Sequence, residues 1–217
     1  METFKFCRFC EIVSGRYLYQ EIDEPFASDE NFIAVASIGA LVEGWSLVIP
    51  KSHQLSMRNI YGSSSLDEFM GLILPPLIAQ YGPLISFEHG ANKEGSITAC
   101  GTDHAHLHLV PFKESLLPDL KKSGLRWFEC RTSEVNCRSG ISEYLFYCEL
   151  STKRDWKDPI GYLHVLEHPL SQFFRHLIAG RKGKAYFFDY HRFPHLNTAR
   201  QTRNVMVGSF NYGSVKS

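Results

Sequence analysis

Apolar positions recur along this chain at two periods, and the change of period marks where strands give way to helices. Phe32-Ile33-Ala34-Val35-Ala36 and Ser46-Leu47-Val48-Ile49 read as two strands of an antiparallel pair, joined by a turn from Gly39 to Gly44. From Ser56 to Tyr81 the residues Leu66, Phe69, Met70, Ile73 and Leu77 keep helical spacing, and Pro75-Pro76 predicts a break or kink. Ile85-Ser86-Phe87-Glu88 and residues 104–111 are the next two strands, separated by polar loop around Asn92 to Gly95. Two strands, a helix and two strands suit an α+β unit, with a helix packed on an antiparallel sheet.

Residues 114–140 are more polar and mixed, as in a linker or variable insertion. Pattern then resumes. Tyr144–Leu150 and Gly161–Leu166 read as a strand pair, and Pro169–Gly180 as a helix with Gly180 near its C-terminus. From Arg192 onward the chain is rich in Arg, Asn and Thr and shows no clear period. The expected organisation is a core over 1–113, the linker or insertion over 114–140, and a C-terminal α/β extension over 141–217 packed on the core.

One strand carries chemistry. His104, His106 and His108 alternate with Ala105, Leu107 and Leu109, so a strand would point the imidazoles to one face and the apolar residues to the other. With ten histidines in 217 residues, this spacing arises by chance in about 2% of such chains. Imidazole suits metal ligation, proton transfer and nucleophilic attack near neutral pH. Near the N-terminus, Cys7 and Cys10 form a Cys-x-x-Cys, a spacing that serves zinc, redox chemistry or a plain turn.

The His-x-His-x-His-apolar-apolar run resembles the signature of the histidine-triad superfamily of nucleotide hydrolases and nucleotidyltransferases. Gly44-Trp45-Ser46-Leu47-Val48-Ile49-Pro50-Lys51-Ser52-His53 is similar to the family's Gly-His-x-Leu-Val-Ile-Pro-Lys-x-His segment. Cys7-Arg8-Phe9-Cys10 through Gly15 resembles the opening of its zinc-containing branch. Phe87-Glu88-His89-Gly90 and Cys100-Gly101-Thr102-Asp103 resemble the strand and turn that lead into the triad. These matches cover about residues 5–113 in the family's order. The resemblance implies the histidine-triad fold, an antiparallel sheet with packed helices. It also implies a structural zinc on Cys7, Cys10, His53 and His104, closed and without an open position.

By the same resemblance His106 is the nucleophile toward the α-phosphorus of a nucleotide, forming a nucleotidyl-imidazole that water or another phosphate resolves. That role needs one bare ring nitrogen, with the other donating to a fixed acceptor. His108 would donate to a nonbridging oxygen, helped by backbone N–H groups around Gly101 and Thr102. Glu88 and His89 stand where relatives often place a pocket Asn. Gln172 and Arg175 lie on a helix similar to C-terminal extensions of some larger bacterial members; these two, with Arg200 and Arg203, are candidate phosphate clamps. Two positions depart from the family. Trp45 replaces the His that many members carry after Gly, and Ser37 stands where nucleoside hydrolases often place a ribose-binding Asp. Two rival readings are a nucleotide-binding module without turnover, and a catalytic metal on His104, His106 and His108.

Composition narrows partners more than chemistry. Lys plus Arg and Asp plus Glu are both 23, so no nucleic-acid polymer is expected as partner. The expected partner is a nucleotide or phosphorylated small molecule. No apolar run is long enough to span a membrane, the start shows no secretion signal, and six scattered cysteines make a poor disulfide framework. The expectation is therefore a cytoplasmic protein without membrane contact. Relatives are often dimers or paired half-units, which makes a homodimer the expected assembly.

Overall fold

The computed structural model describes residues 6–150 and 156–213, with side chains as far as Phe210 at the C-terminal end. Eight strands among these residues form a single sheet. They are β1 (Ala27–Ser28), β2 (Phe32–Ala36), β3 (Ser46–Pro50), β4 (Leu84–Gly90), β5 (Leu107–Pro111), β6 (Phe128–Arg131), β7 (Tyr144–Leu150) and β8 (Ile160–Val165). Their order is β1-β2-β3-β5-β4-β7-β8-β6, every neighbouring pair antiparallel. The helices are α1 (Arg8–Val13), α2 (Ser64–Tyr81), α3 (Leu117–Lys122), α4 (Val135–Ser139), α5 (Phe173–Arg181) and α6 (Leu196–Gly213). The architecture is α+β, an antiparallel sheet with packed helices. No helix among the described residues is long and apolar enough to cross a membrane.

Strand alternation divides the side chains into two layers. On the back, Val48, Leu107, Leu109, Leu84 and Phe146 pack against Leu66, Phe69, Met70, Ile73 and Leu77 of α2 and Met206 of α6. On the front, α1 sets Phe9 and Ile12 on Ile33, Val35, Leu47 and Ile49. Further along the same face α5 sets Phe174 and Ile178 near Ile85, Phe87 and Tyr147. Strand β5 lies between β3 and β4, with His108 opposite Leu47 on one side and Phe87 on the other. The gap between α1 and α5 therefore opens over the triad.

Several sequence expectations change. The helix over Ser64–Tyr81 runs through Pro75 and Pro76 unbroken. Each proline removes a hydrogen bond to the carbonyl four residues back, at Gly71 and Leu72. Gly71, Leu72 and Pro75 are all exposed, so that face of the helix is open to solvent, which offers those carbonyls partners. Strand β5 begins at Leu107, because the Ala105 N–H donates to the Gln54 carbonyl (2.5 Å) and His104 N–H to Thr102 (2.8 Å), outside the ladder. Residues 114–140 are more than a linker, since they supply α3, α4 and the edge strand β6. Nor is the part after 141 merely laid on a finished core. Strand β7 pairs along all of β4, from Leu84↔Leu150 to Gly90↔Tyr144, and extends the same sheet. The aperiodic end is helix α6, whose buried face is built from Ala199, Thr202 and Met206. Ala199 and Thr202 are small and carry little hydropathy contrast, which hid the period.

Candidate functional site

Cys7, Cys10, His53 and His104 come together with all four ligating atoms within 4.8 Å of one another. Cys10 Sγ lies 3.2 Å from His53 Nδ1 and 3.5 Å from His104 Nδ1, and Cys7 Sγ lies 3.4 Å from His104 Nδ1. A tetrahedral zinc with Zn–S near 2.3 Å and Zn–N near 2.0–2.1 Å has ligand-to-ligand edges of about 3.3–3.8 Å, so the donor set suits that ion and the sulfur–nitrogen spacings lie close to it. His104 Nε2–H donates to the Pro50 carbonyl (2.8 Å), which leaves Nδ1 bare and aimed at the sulfurs. Burial, then the adjacent Cys7, push the Cys10 thiol up to about 11. A bound dication would make paired thiolates tolerable there. His106 and His108 are not in this cluster, so the three triad imidazoles do not converge on one point.

The other two triad tautomers are fixed by partners that can only donate or only accept. His106 Nδ1 lies 2.8 Å from the His104 carbonyl. A carbonyl only accepts, so Nδ1 holds the proton and Nε2 is bare. His108 Nδ1 lies 3.0 Å from Trp45 Nε1. An indole N–H only donates, so Nδ1 accepts and the His108 proton sits on Nε2. Burial pushes both imidazoles below the ordinary histidine value, His108 far below, which keeps them neutral. His108 is also stacked on Phe87, ring centroids 4.4 Å apart. The neighbouring rings therefore offer opposite chemistry: a bare nitrogen on His106 and a donor on His108.

These rings line a tight cavity of about 40 Å³ together with His89, Thr102, Arg8 and Arg175. It adjoins a groove of about 290 Å³ that shares Arg8, Thr102 and Tyr190 and adds Gly101, Tyr19 and His191. Arg175 is 4% exposed, and burial pulls its guanidinium down to about 10. Its Nε donates to the Phe188 carbonyl (2.7 Å), Nη2 to the Gly39 carbonyl, and the group lies 4.9 Å above the Trp45 ring. His89 is buried, its Nε2 has no partner, and burial, then His106 and Arg175, push it down to about 3. Gly101 takes φ +85°, and a Cβ there would meet Tyr190 Oη and His191 Nε2 at 3.0 Å, so only glycine fits under that segment.

The remaining sequence candidates sit elsewhere. Glu88 faces the back layer, one residue out of phase with His89. Its carboxylate accepts from Met57 N–H and from Tyr144 Oη–H, both at 2.6 Å, and burial pushes it up to about 7. The Gln172 N–H donates to Cys100 Sγ (3.2 Å), so that residue braces the loop ahead of the triad. The Thr102 N–H, expected to face phosphate, is committed to the Ala99 carbonyl (3.1 Å). Arg200 pairs with Glu21 at 2.8 Å and Arg203 pairs with Glu24, tying α6 to the turn before β1. Ser37 lines the cavity, but its hydroxyl donates to the Ile38 carbonyl (3.1 Å).

No family model matches this sequence, and no curated protein does. Among solved structures, the chain is similar to a hypothetical histidine triad nucleotide-binding protein from Sulfolobus tokodaii. There the identity is 21%, covering 50% of this chain and 70% of that one, with a TM-score of 0.38. It is also similar to a histidine triad protein from Clostridium difficile, at 19% identity over 53% of this chain and 96% of that one, TM-score 0.37. A HIT family hydrolase from Clostridium thermocellum gives 23% identity over 52% and 95%, TM-score 0.36.

Sequence reasoning missed Arg8, Phe9, Tyr190 and the role of Trp45. Arg8 and Phe9 lie between the two cysteines, so a metal held there would deliver them to the cavity, and Phe9 meets the His106 ring edge-on at 5.2 Å. Trp45 supplies a tautomer lock where the family motif has an imidazole. Trp45→Phe should leave His108 free to exchange tautomers and lower turnover by about 10–100-fold with little change in KM. Nitrogen-15 NMR of the labelled protein checks this; an unchanged His108 tautomer with unchanged turnover would remove the role.

Proposed function

We propose that this chain is a phosphoester-cleaving enzyme of the histidine-triad kind, hydrolysing or transferring a nucleotidyl group through a covalent adduct on His106. The single observation that carries this reading is the opposed pair of fixed tautomers, bare Nε2 on His106 beside Nε2–H on His108. A scaffold or binding module has no need of a bare imidazole nitrogen fixed next to a donor. In the first step His106 Nε2 bonds to the α-phosphorus, and the bond from phosphorus to the departing oxygen breaks, its electron pair leaving with that oxygen. The His104 carbonyl holds the Nδ1 proton as the ring gains positive charge. His108 Nε2–H donates to a nonbridging oxygen, an interaction of the kind whose loss costs about 10²–10³ in rate. Water or a phosphate then attacks phosphorus, the N–P bond breaks, and the pair returns to Nε2. When bound, zinc would tie the N-terminal segment to the sheet through Cys7, Cys10, His53 and His104 and supply no chemistry at phosphorus.

Quenching a reaction with nucleotide labelled at the α-phosphate should leave label on a peptide containing His106. The bond should be acid-labile and base-stable, as phosphoramidates are. Tight nucleotide binding with no labelled peptide, whatever the leaving group, would replace this reading with a binding module.

A further inference from the structure

Two successive residues in the turn ahead of the triad are left-handed. Cys100 lies at φ +52°, ψ +34°, a region that a side chain disfavours, and Gly101 follows at φ +85°. A non-glycine residue keeps that conformation only where its surroundings hold it. Here three bonds from the C-terminal part of the chain do so. The Tyr190 hydroxyl donates to the Cys100 carbonyl, and the Gln172 N–H (3.2 Å) and the Ser171 hydroxyl (3.7 Å) donate to Cys100 Sγ. The segment carrying Tyr190 is itself tied down on both sides of that residue. Arg175 Nε donates to the Phe188 carbonyl (2.7 Å), and the Gly39 N–H donates to the Pro194 carbonyl (2.5 Å).

The bond from Tyr190 sets the direction of one peptide unit. All described peptides are trans, so the carbonyl and the N–H of the Cys100–Gly101 unit point to opposite sides. With the carbonyl held by Tyr190, the Gly101 N–H is turned away from that hydroxyl. The neighbouring N–H groups are spent inside the turn, that of Cys100 on Ile97 (3.0 Å) and that of Thr102 on Ala99 (3.1 Å). The Gly101 N–H has no acceptor among the described residues. Gly101 is exposed and lines the groove that adjoins the triad cavity. Resting on the reading of His106 above, we infer that Tyr190 is a positioning residue for that reaction. Its hydroxyl fixes the Cys100–Gly101 peptide so that the Gly101 N–H donates to a phosphoryl oxygen of the substrate as charge develops there. A donor aimed beforehand needs no reorganisation during the step. No bond or proton of Tyr190 itself changes.

Tyr190→Phe deletes the hydroxyl and keeps the ring that packs on His191. It should lower kcat by about 10–100-fold and leave KM within about threefold. The loss is smaller than that of a deleted donor, because the N–H stays and only its aim loosens. Placing 4-aminophenylalanine at position 190 returns an N–H donor to the Cys100 carbonyl and should restore most of kcat. Binding alone gives a second readout. In nitrogen-15-labelled wild-type protein, saturating adenosine 5′-monophosphate should move the Gly101 amide proton downfield, and Tyr190→Phe should lose most of that shift. A tyrosine that only packs would lower the melting temperature of Tyr190→Phe while kcat and the Gly101 response stayed intact, and that result overturns the inference. A loss confined to KM, or no rescue by the amino group, overturns it as well. Should Tyr190→Phe fail to fold, the wild-type spectrum decides: a Gly101 amide unmoved by the nucleotide overturns the inference, and a downfield shift supports it. The spectrum needs no turnover, so the two readings fail separately. A missing adduct on His106 fells the nucleophile, and an unmoved Gly101 amide fells the positioning role.

Discussion

On the proposed mechanism, His106→Ala should lower kcat by about 10⁴-fold or more while the protein keeps its fold and the metal content of the wild type. The size follows from what is removed. Without Nε2 no covalent adduct forms, and the residual rate is what His108, Arg175 and the closed cavity give to direct attack by water. The fold should survive because His106 is half-buried and makes one side-chain hydrogen bond, to the neighbouring His104 carbonyl. Zinc should survive because His106 is not among the four converging ligands. Stopped assays with a nucleotide that the wild-type protein turns over, paired with circular dichroism and metal analysis, measure all three. A variant retaining more than about a tenth of wild-type turnover would exclude covalent catalysis at this residue.

Removing zinc should lower the melting temperature by about 10 °C and reduce activity as well, although no ligand of the ion touches phosphate. Helix α1 has six residues, too few to hold by itself. Two contributions dock it. Burying Phe9 and Ile12 gives about 1.5–3 kcal/mol each, and a metal bound by Cys7, Cys10, His53 and His104 would close the cysteine hook onto the sheet. A loss of about 3 kcal/mol corresponds to roughly 6–12 °C in a chain of this size. Activity should fall because Arg8 and Phe9, carried by α1, form one wall of the cavity around His106. Freshly prepared protein should contain about one zinc per chain, with Cys7→Ser lowering both metal content and melting temperature and His108→Ala lowering neither. Protein prepared without chelator and free of zinc would sink the metal assignment. Zinc content lost in His108→Ala yet unchanged in Cys7→Ser would sink it in favour of the three-histidine site.

By itself the sequence determined what depends on local pattern. The period-2 alternation around His104, His106 and His108 set imidazoles against Leu107 and Leu109 on opposite faces, and it does so although the ladder begins only at Leu107. The apolar runs placed β2, β3, β7 and β8, and the motif resemblance, rather than the spacing itself, pointed to the four residues that converge. Only tertiary structure decided matters that depend on which distant groups meet. Glu88 and His89 are adjacent in sequence, yet strand pleating sends one to the back layer and the other to the cavity. Pro75 and Pro76 are tolerated because their helix face turns to water. Helix α6 was hidden because tertiary contact, rather than hydropathy, makes Ala199 and Thr202 a buried face. The chemistry of the triad itself was the least legible part. A ring's tautomer is set by whether its partner is a donor or an acceptor, and those partners, Pro50, the His104 carbonyl and Trp45, are brought to the rings by the sheet and the turn before β5.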